Sequence, residues 1–257
     1  MDVNCSNSDG PKPLHLAANN GHAEVTRLLL ADHRTEVNCS SRWGCTPLHY
    51  AVEKGNTKIV QLLLADQRVD VNCSRKDCLK PLHVAANRGH AEVAKLLLAD
   101  HRTEVNCSDC AGHTPLHWAV IEGNAQIVKL LLADQRVDVN CSDRWLQHPL
   151  HHAMTDGHTE VVQLLLGNVK LDVNSTDENN STALHFAAAK DYDAIVRMLL
   201  VDPRLNSVND VTNFGKTPLM TAVVRNSIKS VHELLGHPSV HLDTKDDEGR
   251  GLEEVAE

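Results

Sequence analysis

The chain has 257 residues, with 34 acidic and 25 basic side chains, and its net charge is −9 when histidine is counted as neutral. Charges of both signs are interspersed, which argues against a surface that follows nucleic-acid phosphates. The sequence contains no apolar run of about 18 residues, the least that predicts a transmembrane helix. It does not open with the basic and apolar segments of a signal peptide. We therefore expect neither nucleic acid nor membrane among its partners.

The sequence repeats with a period of 34 residues. A Pro-Leu-His triplet recurs at this spacing, beginning at Pro13, Pro47, Pro81, Pro115 and Pro149. The sixth copy begins with Ala183 in place of proline, and the seventh begins with Pro218, one residue late. A fixed period of this length is typical of stacked supersecondary units, in which each unit contacts only its neighbours.

The best-preserved copy reads Thr-Pro-Leu-His-Trp-Ala-Val over residues 114–120, followed by Gly123 and by Ile-Val-Lys-Leu-Leu-Leu over residues 127–132. This copy resembles an ankyrin repeat, whose signature is T-P-L-H-x-A. The resemblance covers nearly the whole chain in seven near-complete copies. It implies an all-α fold, an ankyrin-repeat solenoid of stacked helix-turn-helix units with short β-hairpin loops.

Local chemistry supports the same elements. Thr114 is a good helix N-cap, and Pro115 suits the first helical position, where no N–H is needed. Gly123 suits the left-handed end of that helix, and the following apolar run suits a second helix with a broad buried face. Val71 and Asn72 favour extended backbone. Each unit is therefore predicted to be helix, tight turn, helix and extended hairpin.

We predict a single array over residues 1–257. Its repeats are approximately residues 7–40, 41–74, 75–108, 109–142, 143–176, 177–211 and 212–245, with a partial terminal unit at 246–257 and the tail of an incomplete upstream unit at 1–6. Either the chain is a fragment of a longer array, or the first repeat is an imperfect cap. We expect this repeat to expose an apolar flank with Leu14, Leu16 and Val25, and to fray first or dimerise there. Otherwise we expect a monomer.

Five cysteines form a ladder at the repeat period, namely Cys5, Cys39, Cys73, Cys107 and Cys141. Packed elements lie about 8–10 Å apart, whereas a disulfide needs Cα atoms within about 7 Å, so these cysteines should be free thiols. Seven asparagines begin N-x-S/T sequons, namely Asn4, Asn38, Asn72, Asn106, Asn140, Asn174 and Asn180. In a secreted protein these sequons invite glycans. Both features favour a reducing location, and we expect the cytoplasm, with the nucleus as an alternative.

Most histidines have a structural explanation. Six belong to the repeated triplet and three follow the repeated glycine, and we expect both sets to bond backbone between units; they are His15, His49, His83, His117, His151 and His185, then His22, His90 and His158. Cys107 and Cys110 form a C-x-x-C pair that could hold a metal with Cys73 and Cys78, or with His113. No second pair follows at zinc-finger spacing. We therefore expect no metal, no cofactor and no enzyme activity.

In ankyrin-like arrays, recognition usually uses the hairpin tips and the exposed side of the first helix. These positions carry Arg42, Trp43, Lys76, Asp77, His113, Ile121, Arg144 and Trp145. Tryptophan and arginine are enriched at interface hot spots. We predict a non-catalytic scaffold or adaptor whose protein partner binds between Trp43 and Trp145, about 30 Å apart if each unit rises about 10 Å. Alternatively, each tryptophan folds onto its own hairpin. Tyr50, Trp118 and Phe186 are predicted to pack between repeats.

The resemblance leaves two other functions open. It implies that Asn72, Asn106 and Asn140 are candidate hydroxylation sites, so the chain could be the substrate of a hairpin-asparagine hydroxylase. It could also be a regulatory subunit of an enzyme complex. Nucleic-acid binding ranks third.

Overall fold

A computed structural model describes residues 3–5 and 10–255. The chain divides into two compact units, residues 1–137 and 138–257. The first unit holds α1 (Pro13–Asn19), α2 (Ala23–Ala31), α3 (Pro47–Glu53), α4 (Thr57–Ala65), α5 (Pro81–Arg88), α6 (Ala91–Ala99), α7 (Pro115–Ile121) and α8 (Ala125–Ala133). The second unit holds α9 (Pro149–His152), α10 (Thr159–Leu166), α11 (Ala183–Ala189), α12 (Asp193–Leu200), α13 (Pro218–Val224) and α14 (Ile228–Leu235). None of these helices has the length and apolarity needed to cross a bilayer.

Each unit is built from two layers of helices. In the first unit, α1, α3, α5 and α7 contact one another in chain order, and α2, α4, α6 and α8 form the second layer in the same way. In the second unit, α9, α11 and α13 form one layer, and α10, α12 and α14 form the other. The predicted all-α class and paired helices are confirmed. The single array predicted over the whole chain stays a prediction.

Histidine side chains connect successive first helices. Nδ1 of His49 accepts a hydrogen bond from the backbone N–H of Thr46 at 3.2 Å, and its Nε2 donates to the carbonyl of Leu79 in the next repeat at 3.1 Å. Equivalent donations join His15 to Cys45, His83 to His113 and His185 to Lys216, whereas His151 donates to Ser175 within its own repeat. The predicted backbone bonding between repeats is therefore confirmed for His15, His49, His83 and His185, and for the turn residue His90, which donates to Glu53.

A ladder of asparagine side chains joins the loops. Nδ2 of Asn72 donates to the carbonyl of Arg102 at 2.8 Å, and its Oδ1 accepts from the backbone N–H of Glu104 at 2.9 Å. The same two bonds are made by Asn4, Asn38, Asn140, Asn174 and Asn209. Because one amide satisfies a donor and an acceptor of the next repeat, it aligns the two repeats.

The segment that carries the ladder is a turn, not the extended strand predicted for Val71 and Asn72. The carboxylate of Asp70 accepts the backbone N–H of Asn72 at 2.9 Å, and such a local bond competes with strand pairing. Within the described residues, β-pairing is limited to one isolated bridge between Thr176 and Thr182. The hairpins are therefore turns, which side-chain bonds and single backbone bonds between tips join to one another.

Arginines cap the second helices of the preceding repeats. Arg68 donates to the carbonyl of Leu30 at 2.7 Å while Asp66 holds its guanidinium at 2.6 Å. Arg102, Arg136 and Arg204 make the same contact to Leu64, Leu98 and Leu166. A cation at a helix C-terminus satisfies an unpaired carbonyl and offsets the helix dipole.

The apolar flank predicted for the first repeat is only partly correct. Leu16 and Val25 each keep 48% of their surface exposed. Leu14 is buried, because it lies on the side of α1 that faces α2 and α3.

Cysteine pairing differs between the ladder and the loop tips. The five ladder cysteines are free thiols, as predicted, and Cys45 is also free. Cys78 and Cys110 form a disulfide, with Cα atoms 5.4 Å apart. Cys110 therefore pairs with a loop tip of the preceding repeat and not with Cys107 of its C-x-x-C sequence.

We expect Asn72→Ala to lower the free energy of unfolding by about 1–3 kcal/mol, because it leaves a carbonyl and an N–H of the next repeat without partners. Chemical denaturation measures this loss. The control is Asn179→Ala, at an exposed loop tip, which should change stability by less than about 0.5 kcal/mol. Equal losses for both variants would contradict a structural ladder.

We expect stability to fall as the pH drops from 7 to 5. Burial lowers the pKa of His49, His83 and His151 to about 4, whereas the unfolded pKa is about 6.5. Between these values the unfolded chain binds more protons, so acidification favours unfolding, by up to about 2 kcal/mol per histidine at pH 5. The carboxylates whose pKa is lowered in the folded state add to this loss of stability only below about pH 4. Denaturation at both pH values should show a smaller pH-dependent loss for His83→Gln, and a flat wild-type profile would contradict the assignment.

We expect protein purified without reductant to carry one disulfide, between Cys78 and Cys110. Alkylation followed by peptide mapping should find both residues in one cross-linked peptide and the other six thiols alkylated. The control is Cys78→Gly, which suits the backbone because Cys78 has a φ of 66°, close to the 77° of Gly44 at the equivalent position. Alkylation of both Cys78 and Cys110, or a link to Cys107, is the contrary outcome.

Candidate functional site

The predicted surface residues differ in exposure. Arg42, Trp43, Lys76 and Asp77 are exposed in the first unit, whereas His113 and Ile121 are half-buried. In the second unit, Arg144 and Trp145 are exposed. Trp43 keeps 60% of its surface exposed and Trp145 keeps 47%. Each tryptophan therefore keeps about half of its surface accessible to solvent.

A cavity of about 660 Å³ lies beside Trp43 in the first unit. Its lining residues come from the loops and first helices of the second and third repeats and are Trp43, Cys45, His49, Tyr50, Glu53, Arg75, Lys76, Asp77 and Arg88. Three of the predicted site residues, Trp43, Lys76 and Asp77, therefore lie together. His113 and Ile121 do not line this cavity.

Backbone bonds hold the loop tip that presents Trp43. The N–H of Ser41 donates to the carbonyl of Cys45 at 2.9 Å, closing the loop. The N–H of Lys76 donates to the carbonyl of Trp43 at 3.1 Å, which ties the tip to the next one. The guanidinium of Arg42 lies 4.8 Å from the centroid of the Trp43 ring, a cation–π distance. The loop backbone that carries the tryptophan is thus held in place, and Arg42 lies against its ring.

An ion network forms one wall of the cavity. Arg75 pairs with Asp77 and reaches Glu53 at 3.4 Å, and Arg88 also pairs with Glu53. The hydrogen bond from Arg75 lowers the pKa of Asp77, so this carboxylate is charged at neutral pH. Each acid in the wall is therefore compensated by at least one guanidinium.

The sequence contains a signal for this network that its analysis missed. Arg75 occupies a loop position where four other repeats have aspartate, namely Asp109, Asp143, Asp177 and Asp246. In those repeats the carboxylate accepts backbone N–H groups of its own loop. In the third repeat, Asp77 takes over this role by accepting the N–H of Leu79 at 3.3 Å. Because Asp77 makes this loop bond, position 75 can carry an arginine, and that arginine reaches Glu53.

The aromatic residues predicted to pack between repeats have different surroundings. The ring of Tyr50 packs edge-on against His15 of the preceding repeat, with centroids 5.4 Å apart, and Phe186 packs at the same distance on His151. These two contacts confirm the prediction. Trp118 instead contacts His113 of its own repeat at 5.7 Å. Tyr50 is only half-buried and also lines the cavity, a role that the sequence did not indicate.

Half-buried His113 is occupied by contacts inside its own repeat. Its Nδ1 lies 3.5 Å from the carboxylate of Asp109, which also accepts the indole N–H of Trp118 at 3.0 Å. These contacts hold the half-buried ring of His113 against the loop of the fourth repeat.

Trp145 is held in the second unit by bonds like those of Trp43. Its carbonyl accepts the N–H of Glu178 at 3.1 Å. Its own N–H donates at 2.8 Å to the buried carboxylate of Asp143, which also accepts from His152. Both units therefore present an exposed tryptophan on a fixed loop tip.

The cavity in the first unit is suited to binding more than to covalent chemistry. Burial raises the pKa of the Cys45 thiol, which therefore stays protonated at neutral pH and is a poor nucleophile. Both ring nitrogens of His49 are already bonded to backbone, so this histidine is not free to act as a base.

Comparisons with known proteins agree with this architecture. A family model described as ankyrin repeats in three copies matches residues 1–77, 67–143 and 150–246, and a second model, of ankyrin repeats in many copies, matches residues 127–166. The chain resembles the crystal structure of the ankyrin repeat domain of Bcl-3, described as a unique member of the IkappaB protein family. The TM-score is 0.78 at 25% identity, over 89% of this chain and 100% of that one. No curated protein matches significantly. The repeated motif, the paired helices and these matches together show that the chain belongs to the ankyrin-repeat family.

Proposed function

We propose that the chain is a non-catalytic interaction module that binds a protein partner through its loop tips and first helices. The contact residues proposed are Arg42, Trp43, Lys76, Asp77, His113, Ile121, Arg144 and Trp145. The observation that carries the proposal is the exposed Trp43, held by backbone bonds beside a cavity of about 660 Å³.

The physical support is preorganisation. A side chain that is already fixed loses little conformational freedom on binding, so more of its contact energy appears as affinity. Tryptophan contributes a large rigid surface, and arginine stacked on it adds charge and hydrogen-bond donors. Ankyrin repeats generally serve as protein–protein interaction modules, and the two fixed tryptophan tips fit that role.

The asparagine ladder weighs against the hydroxylase-substrate alternative. Asn72 and Asn140 use both Nδ2 and Oδ1 to join adjacent repeats. An enzyme that modified these side chains would first have to open the contact between the repeats. The ladder supports a structural role for these residues.

We propose a cytoplasmic or nuclear location, and the same ladder supports it. A glycan is attached to asparagine through Nδ2, the atom that Asn38 and Asn174 use to bond the next repeat. Glycosylation at these sequons would therefore compete with folding. The free thiols of the cysteine ladder fit a reducing compartment. The disulfide between Cys78 and Cys110 lies outside that ladder.

We expect the double variant Trp43→Ala, Trp145→Ala to lose at least one protein that the wild type captures from a native lysate. The loss should be tenfold or more if both rings are hot spots, each contributing roughly 2 kcal/mol. Quantitative mass spectrometry of the captured proteins measures it, and the thermal midpoint should change by less than about 3 °C.

The matched control replaces two exposed apolar residues elsewhere, Val169→Ala and Val201→Ala, which are 90% and 75% exposed. This control should retain the partner. Unchanged capture by the tryptophan variant would place the binding surface elsewhere. A sharp fall in its thermal midpoint would show that the tryptophans stabilise the fold.

A further inference from the structure

The cavity beside Trp43 joins an apolar wall to a cationic one. Trp43, Cys45 and Tyr50 supply the apolar surface. His49 and five charged residues complete the lining; of the charged residues, three are basic (Arg75, Lys76 and Arg88) and two are acidic (Glu53 and Asp77). The local excess of positive charge is not a consequence of composition, because the whole chain carries a net charge of −9.

The ion pairs decide which of these charges can meet a ligand. Glu53 is compensated by Arg75 and Arg88, and Asp77 is compensated by Arg75. The wall therefore offers no isolated carboxylate to repel an acidic group or to attract a basic one. Its arginines in turn are held in place by these acids.

Two cations beside Trp43 are not neutralised in this way. Within the described residues, neither Arg42 nor Lys76 forms an ion pair. Arg42 lies over the Trp43 ring, and the backbone N–H of Lys76 bonds the Trp43 carbonyl. The two free positive charges are therefore tied to the residue that forms the apolar wall.

Resting on the proposed function, we propose that this cavity binds an acidic peptide segment of the partner, in which an apolar side chain is followed closely by carboxylates. The apolar side chain packs between Trp43 and Tyr50, and the carboxylates pair with Arg42 and Lys76. A cavity of about 660 Å³ holds a few side chains of an extended peptide. Charge complementarity of this kind selects partners and raises the association rate.

A basic segment is a poorer occupant of the same cavity. It would bring like charge against Arg42 and Lys76, while Glu53 and Asp77 are already paired. Single-stranded nucleic acid offers stacking bases and phosphates, and its binding in place of the peptide is one outcome of the test below.

The test uses fluorescence anisotropy with the full chain and labelled ten-residue peptides. The first probe has a central Phe flanked by Asp and Glu on both sides. Three matched probes replace each acid by its amide, replace each acid by Lys, or replace the Phe by Ser. We expect the acidic Phe peptide to bind at least tenfold more tightly than each of the other three. Its affinity should fall as the salt concentration rises.

Charge-reversal variants locate the binding. We expect Lys76→Glu and Arg42→Glu each to lower the affinity for the acidic peptide by about fivefold or more, and Trp43→Ala to lower it by about tenfold. The control Lys95→Glu makes the same charge change on α6, at an exposed position outside the cavity, and should stay within twofold. Circular dichroism and thermal melting confirm that each variant is folded.

The outcomes separate this inference from the proposed function. Equal binding of the acidic and amide peptides, tighter binding of the lysine peptide, or equal effects of Lys76→Glu and Lys95→Glu would overturn the acidic-segment proposal. So would preferential binding of a ten-nucleotide oligothymidylate that depends on Arg42 and Lys76. If lysate capture still depends on Trp43 in any of these cases, the protein-binding function stands and only the ligand chemistry is wrong.

Discussion

Each repeat in this protein needs a neighbour, because one pair of short helices cannot bury its leucine-rich face alone. A buried leucine contributes roughly 1.5–3 kcal/mol, whereas ordering the backbone costs about 1–2 kcal/mol for every residue. Leu63 and Leu97 are fully buried, and their helices, α4 and α6, contact each other and the second helices on either side. Everything else in each unit follows from the requirement that adjacent repeats meet in one register.

Polar side chains set that register. An apolar face by itself allows small sliding movements, but the amide of Asn72 must meet one particular carbonyl and one particular N–H. His49 and Arg68 impose the same kind of condition at the first and second helices. Leaving a buried polar group unpaired costs free energy. These bonds therefore favour one alignment of adjacent repeats over alignments in which one repeat has slid along the other.

The residues that hold the repeats together are not those at the loop tips, and this separation explains where recognition can occur. Since leucines, histidines and asparagines maintain the stacking, the loop tips are free to vary without loss of the fold. The third repeat uses this freedom by placing Arg75 where other repeats keep aspartate, and it preserves its loop with Asp77. The result is a cavity whose acids are compensated and whose free cations flank an exposed tryptophan.

The sequence by itself determined the helical fold class, because a 34-residue period with proline, glycine and leucine at fixed offsets encodes local chemistry that repeats unit by unit. It also correctly predicted that triplet histidines such as His49 bond the backbone of the next repeat, and that the ladder cysteines are free thiols. Only the tertiary structure decided what Asn72, Arg75 and Tyr50 do, since each has a partner in another repeat or on another element, and a pattern of residue types does not show such contacts. It likewise showed the pairing of Cys78 with Cys110, because loop tips approach more closely than the helix spacing implies.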